Sequence, residues 1–304
     1  MSSHLTASTT MRLDPVSLRL FVSVVERGSI SAAAQQGHIA PAAVSKRMSE
    51  LEFQLRTLLL ARTNKGAQAT PAGLALLNLA RRLLADLDDI ALQMRDWSGG
   101  TRGQVRVFAN ISAITQFLPK EIAAFLARYP QVDVHLRERI SSVIVKAVAE
   151  NEADVGVCLM DGPVDGVEVF PYHRDELVLI LPRRHRLAKK RLIAFPQALD
   201  FDFVGLHTGS SIMLLLTRAA MAAQRNLRVR IQVTSYDALA RMVEAGLGVG
   251  VMPRAVAEAL VKSVDITAIA LSDAWARREL SICVRAYDAL PVAARLLVDS
   301  LRSS

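Results

Sequence analysis

Ser29 to Glu52 reads SISAAAQQGHIAPAAVSKRMSELE, and this stretch decides the fold of the front of the chain. It spells two short helices and a bend. Ser31 is placed to cap a helix over Ala32–Gln36, because a serine hydroxyl accepts from free N–H groups at a helix start. Gly37 and His38 are expected to stop it, glycine tolerating the left-handed backbone of a helix end. Pro41 suits the first turn of the next helix, where its missing N–H costs nothing. Val44, Met48, Leu51 and Leu55 then recur at spacings of four, three and four and form one buried stripe, leaving Ser45, Lys46, Arg47 and Ser49 on other faces. Ala33 and Ala34 let the helices approach closely. The pair fits a helix-turn-helix that lays its second helix in the major groove.

Outward from this stretch, Asp14-Pro15 opens an earlier helix with an aspartate cap and a first-turn proline. Leu18, Phe21, Val22 and Val25 give that helix its apolar face and Gly28 ends it. After the second helix of the pair, Arg62-Thr63-Asn64-Lys65-Gly66 is a cationic turn that would form a wing, with Arg62 and Lys65 against phosphates. Over residues 11–71 eight cations face four anions.

From Leu18-x-x-Phe21 through Gly28-Ser29, Ala33-Ala34, Ala43-Val44-Ser45, Leu51-Glu52 and Arg62 to Thr70-Pro71-Ala72-Gly73, order and spacing resemble the N-terminal domain of LysR-type transcriptional regulators. Five positions depart from that pattern. Gly37 replaces a usual leucine, Pro41-Ala42 a usual Gln-Pro, Arg56 a usual glycine and Leu60 a usual phenylalanine. The family's glutamine at the Pro41 position often touches DNA, so that change bears on the operator sequence. With the resemblance, the DNA contacts are expected from Ser31, Pro41, Ala42, Ser45, Lys46, Arg47, Arg62 and Lys65.

Pro71 to Trp97 changes character. Leu76, Ala80, Leu83, Leu87, Ile90, Met94 and Trp97 alternate in steps of four and three, the repeat of a coiled-coil seam. A helix so marked, with charges elsewhere, is expected to pair with a second copy, giving two heads and a near-symmetric operator. Ser98-Gly99-Gly100-Thr101-Arg102-Gly103 reads as a flexible hinge.

Beyond it, short strands alternate with helices. The strands are Val105–Ala109, Val132–Arg137, Asp154–Leu159, Leu177–Pro182, Phe203–Leu206, Val229–Val233 and Glu279–Val284. The helices are Pro119–Tyr129, Ser142–Glu150, one from about Ser211, Tyr236–Ala245 and Pro291–Leu301. Such alternation argues for largely parallel sheet covered by helices, in two lobes with a cleft between them. Leu118-Pro119, Phe125, Tyr129-Pro130, Asp154-Val155-Gly156-Val157, Ala245-Gly246-Leu247-Gly248 and Met252-Pro253 resemble the LysR-type effector domain, itself similar to periplasmic solute-binding proteins. The expected organisation is a disordered tail over 1–10, a winged helix-turn-helix over 11–71 that is otherwise all-α, a linker and dimerisation helix over 72–98, and an effector domain over 103–304. Its lobe I covers about 103–173 and 276–304, and its lobe II about 174–275.

Ligands of open α/β sheets sit beyond the carboxyl ends of strands, near helix N-termini. Small polar residues occupy those turns: Asn110, Ser112, Ser141, Ser142, His207-Thr208-Gly209-Ser210 and Ser235. The resemblance makes Asn110, Ser112, Ser141, Ser142, Thr208, Ser210 and Ser235 the expected effector residues, each also explicable as a helix cap, and their hydroxyls suit a carboxylate or other anion.

The chain of 304 residues carries a net charge of +8, which favours a polyanionic partner. It has no apolar run long enough to span a bilayer. Residues 1–10 lack the pattern of a signal peptide, so the expected site of action is the cytoplasm, and Met11 matches the usual family start. Cys158 and Cys283 read as free buried thiols. Six histidines and two cysteines show no metal-ligand spacing, so neither metal nor cofactor is expected. Arg183-Arg184-His185-Arg186 with Lys189-Lys190-Arg191 is the densest charge run, read most simply as a solvated loop. No GxSxG elbow, P-loop or dinucleotide fingerprint is present. The expectation is a sequence-specific transcriptional regulator answering to a small effector. By resemblance, its dimers pair into a homotetramer that bends DNA and influences RNA polymerase. An α/β enzyme or a solute-binding protein with an N-terminal docking module is the alternative.

Overall fold

The computed structural model describes residues 13–63, 66–96, 103–160, 162 and 164–303. The 1–10 tail, Lys65, Trp97 and residues 98–102 of the hinge lie outside the described residues. The chain divides into two compact units, one formed by its first 92 residues with Glu150–Glu152 and the other by the rest.

The first unit contains α1 (Pro15–Arg27), α2 (Ile30–Gln36), α3 (Pro41–Leu55), the antiparallel hairpin of β1 (Leu60–Thr63) and β2 (Gly66–Ala69), and α4 (Pro71–Asp96). Asp14 caps α1, its carboxylate accepting from the Val16 and Ser17 amides at 3.1 Å each, and Gly28 ends it in the left-handed region at φ 64°. Two local expectations change. Ser29, not Ser31, caps α2, accepting from the Ala32 amide. The left-handed residue after α2 is His38 at φ 49°, while Gly37 stays right-handed. Leu18, Phe21 and Val24 of α1 meet Ala33 and Ala34 of α2 and Val44, Met48 and Leu51 of α3 in one core. Val22, Val25 and Leu55 are only half-buried at its margin.

The motif residues past α3 hold the turns. Glu52 accepts from the Leu59 and Leu60 amides at 2.8 and 3.0 Å. Thr70 donates its hydroxyl to the Leu58 carbonyl and accepts from the Gly73 amide. A β-carbon on Gly73 would stand 2.1 Å from the Leu59 carbonyl oxygen, so only glycine fits. α4 has two apolar faces. Leu77, Ala80 and Leu84 enter the head core, which takes Ala80 out of the expected seam. Leu74, Leu79, Leu83 and Ile90 stay exposed.

The second unit holds two lobes. In lobe I, β3 (Gly103–Ala109) runs parallel to β4 (Val132–Glu138) and β5 (Val155–Leu159), with α5 (Ile111–Gln116), α6 (Leu118–Arg128) and α7 (Ser141–Ala149) between them. The strand β6 spans Glu168–Pro182, fifteen residues, where only its second half reads as strand in the sequence. Lobe II adds β7 (Leu192–Ile193), α8 (Phe195–Ala198), β8 (Phe203–Leu206), α9 (Ser211–Ala222), β9 (Val229–Val233), α10 (Tyr236–Glu244), β10 (Gly250–Pro253), α11 (Arg254–Leu260) and β11 (Ile266–Leu271). The chain returns to lobe I through β12 (Arg277–Val284) and α12 (Val292–Arg302).

β6 belongs to both lobes. Glu168–Glu176 pairs with β12, and Leu177–Pro182 pairs with β10 and β11. Pro171 sits beside a register shift between Glu279 and Ser281, on the edge of the lobe I sheet, where a missing donor is tolerated. The lobe cores are separate, one around Val105, Phe125, Ile282 and Leu297, the other around Leu179, Phe203, Leu239 and Met252. Among the described residues no helix is long and apolar enough to cross a membrane.

Candidate DNA-reading surface and ligand cleft

The buried stripe of α3 fixes what its other side presents. Pro41, Ala42, Lys46 and Ser49 are exposed and Ser45 half-exposed. Positions 42, 45, 46 and 49 share a face at helical spacing. Lys46 stands 79% exposed, 3.8 Å from Glu50 one turn on. Arg47 turns the other way. Its guanidinium lies 2.7 Å from the Asp14 carboxylate and 3.1 Å from the Ser17 hydroxyl, tying α3 to the cap of α1. The Ser17 hydroxyl holds the Asp14 carboxyl below its usual range; burial opposes it, and the Val16 and Ser17 amides and, least of all, Arg47 add to the lowering. Ser31 is exposed as the second residue of α2. Arg62 lies on β1 of the wing, and Lys65 is outside the described residues.

In the second unit the turns beyond the strands come together. The Arg139 amide donates to the Ala109 carbonyl at 3.0 Å, joining the turns after β3 and β4. A β-carbon on Gly209, in the turn after β8, would stand 3.2 Å from Ile140 Cδ1. Ser112 of α5 and Tyr236 of α10 share a hydrogen bond of 3.0 Å from lobe to lobe. Behind them lies the pair Arg278–Asp175, with side chains 1% and 2% exposed. Arg278 Nε donates to Asp175 Oδ1 at 2.7 Å and Nη2 to Oδ2. Nη2 also reaches Ser112 Oγ at 3.3 Å, and Gln116 donates to Asp175 at 3.1 Å. The sequence reading passed over Arg278, Asp175, Gln116 and Tyr236.

Several buried polar atoms here have no partner among the described residues: Asn110 Nδ2, His207 Nδ1 and Arg278 Nη1. The buried Ser141 hydroxyl lies beside the Cys158 thiol. Two of these atoms are obligatory donors, and an acceptor-rich ligand would satisfy them. A cleft of about 520 Å³ opens between α5 of one lobe and α10 and α11 of the other. Ile111, Ile114, Val256 and Leu260 give it an apolar wall, and Gln116, Glu138, Ser235 and Tyr236 its polar edge.

Of the expected effector residues, Asn110, Ser112 and Ser141 belong to this neighbourhood. Asn110 also caps α5 through Ala113. Ser235 caps α10 and lines the cleft. Ser210 is buried as the cap of α9, and Ser142 is exposed. Thr208 donates to Gln232 at 3.3 Å, beside a different groove between α9 and β9. Cys158 and Cys283 are free and buried. The Cys283 thiol, then burial, pushes the Cys158 thiol well up.

A helix-turn-helix head and a two-lobed domain with a cleft between its lobes stand on one chain. The chain belongs to the LysR family of transcriptional regulators. Residues 16–74 match the bacterial regulatory helix-turn-helix protein, lysR family, and residues 98–304 the LysR substrate binding domain. It is 29% identical over 80% of its length to the uncharacterized HTH-type transcriptional regulator YbhD of Escherichia coli strain K12, covering 77% of that protein. It is 30% identical over 78% of its length to the probable HTH-type transcriptional regulator LrrA of Synechococcus elongatus, covering 80% of that one. A crystal structure of full-length CbnR complexed with its target DNA shares the fold, with TM-score 0.71 at 22% identity over 96% of this chain and 99% of that one. The protein is therefore a LysR-type transcriptional regulator with a helix-turn-helix DNA-binding domain and an effector-binding domain.

Proposed function

We propose that a small carboxylate-bearing effector enters between the lobes and changes the affinity or geometry of the DNA complex. The supporting observation is the set of buried, unpartnered polar atoms on Asn110, His207 and Arg278, with Arg278 beside the lobe-to-lobe bond of Ser112 and Tyr236. An anion there would accept from them and would bind one lobe arrangement better than the other, the only way a ligand shifts such an equilibrium. Asn110, Ser112, Ser141 and the cleft-lining Ser235 act in this site, while Ser142 and Ser210 lie outside it and Thr208 faces a different groove. Residues 72–98 join two chains through the exposed Leu79, Leu83 and Ile90, and two dimers form the homotetramer. DNA is met by Ser31, Pro41, Ala42, Ser45, Lys46, Arg62 and Lys65, and Arg47, expected among them, braces α3 on Asp14 and Ser17 instead. The protein works in the cytoplasm as a regulator, not an enzyme, with RNA polymerase the downstream partner.

The test is a footprint on DNA upstream of the protein's own coding region, with and without a panel of small carboxylates. A carboxylate that changes the protected boundaries is the expected result. Identical footprints across the panel, with no member raising the melting temperature, would refute the effector reading.

A further inference from the structure

The loop between β6 and β7 carries six cations in nine residues, Arg183, Arg184, Arg186, Lys189, Lys190 and Arg191, and all six are exposed. The structure does not leave it as a loose solvated segment. Leu187 is buried. The Arg186 guanidinium lies 4.4 Å from the centre of the Phe201 ring and the His185 ring 4.5 Å from it. Backbone hydrogen bonds His185 to Pro182, Ala188 to His185 and Lys190 to Leu187 close successive turns. Backbone and anchor residues are thus ordered before any partner arrives, which reduces the entropy that binding must overcome.

The loop is also continuous with other cations. Asp200 is shared by Arg186 and Arg225, and its carbonyl accepts from Arg228 at 2.8 Å. Asp202 is shared by Arg228 and Arg230, and Asp265 pairs with Arg183. Nine cations on one stretch of lobe II therefore meet three carboxylates. Arg184, Lys189, Lys190 and Arg191 have no ion-pair partner among the described residues. An excess of this size at fixed positions matches a polyanion of regular charge, and duplex DNA carries one phosphate per about 1.7 Å of axis.

We propose that this surface of lobe II binds the phosphate backbone of duplex DNA without regard to sequence, as a second contact beyond the helix-turn-helix head. It rests on the reading that the head binds DNA. The head would hold DNA near the chain, so each loop contact forms at high effective concentration. It would add affinity for long duplexes and steepen the dependence on salt.

The experiment compares the full chain with the variant Arg184→Ser/Lys189→Ser/Lys190→Ser/Arg191→Ser. Two duplexes carry the same operator, one just spanning the heads and one extended by about two helical turns on each side. Affinities are measured over a range of salt, with a polyglutamate chain as competitor in a separate arm. The expected result is equal binding of the short duplex by both proteins. On the long duplex the variant should bind at least about tenfold more weakly, with a salt slope shallower by about one or more. Equal long-duplex affinity and slope would overturn the proposal, including the case where only polyglutamate competition is lost, which would mark the surface as one for an acidic protein. Failure of the wild-type chain to select operator over random duplex of either length would refute the head reading, a distinguishable outcome. Thermal melting of the variant at the wild-type temperature excludes misfolding as the cause.

Discussion

Arg278 and Asp175 face each other as registered partners on β12 and β6, almost wholly enclosed, at the point where β6 passes from one lobe to the other. A buried pair is weak support for stability as a pair, but removing one member strands the other charge. Asp175→Ala or Arg278→Ala should each lower the unfolding free energy of the two-lobed unit by about 3–5 kcal/mol. Urea melts followed by tryptophan fluorescence measure this. A double replacement by Leu and Met should recover most of the loss.

Tyr236 joins the lobes through Ser112, and burial pushes its hydroxyl up to about 12, against the lowering effects of Arg278 and Ser112. The folded state therefore favours the neutral phenol more than the unfolded chain does. That contribution is complete below pH 10.0, the ordinary value, and is lost as pH rises from there through about 12. Tyr236→Phe should remove this alkaline component. It should also cost about 1 kcal/mol at neutral pH. Denaturant melts repeated across the alkaline range read both.

Lys46 and Arg47 are neighbours in sequence with different surroundings, Lys46 exposed beside Glu50 and Arg47 on Asp14. Lys46→Glu should weaken operator binding at least tenfold, at about 1–3 kcal/mol, while leaving the melting temperature unchanged. Arg47→Ala should destabilise the head, since it unties α3 from the α1 cap. The Asp14 carboxyl is depressed, so its contribution is present above its ordinary value of 3.8 and is lost as pH falls below it. Ser17→Ala, which removes the largest cause of that depression, should therefore flatten the acid limb of the stability profile, as followed by circular dichroism.

Arg56 ends α3 in the left-handed region at φ 50°. A side chain there costs about 1–2 kcal/mol that glycine avoids. Arg56→Gly should raise head stability by about 1 kcal/mol, visible as a higher melting temperature.

The head was legible in the sequence because its signals are local. The spacing of Val44, Met48 and Leu51 sets the buried face of α3 without help from distant residues. What escaped depends on distance. Nothing in SKRM announces that Arg47 folds back on a residue 33 positions earlier. The first half of β6 was hidden by Pro171, which normally argues against strand, and by the charged run Arg174-Asp175-Glu176. A signal for Arg278 did exist. On β12 the buried phase runs 278, 280, 282 and 284, so the arginine stands where period two demands an apolar side chain. That mismatch marked a buried charge needing a partner. Asn110, Ser112 and Ser141 stand out in the sequence as polar residues in or next to turns at strand ends. Which of them remain unsatisfied is decided by packing alone.

Because β6 is common to both sheets, the lobes are not plates on a pin. A relative rotation has to twist the continuous ribbon of β6, together with the return crossing from β11 to β12, the way a leaf spring stores a load along its length. Stiffness along that ribbon, set by residues far from any bound molecule, would then scale how strongly chemistry in the cleft is felt elsewhere in the chain.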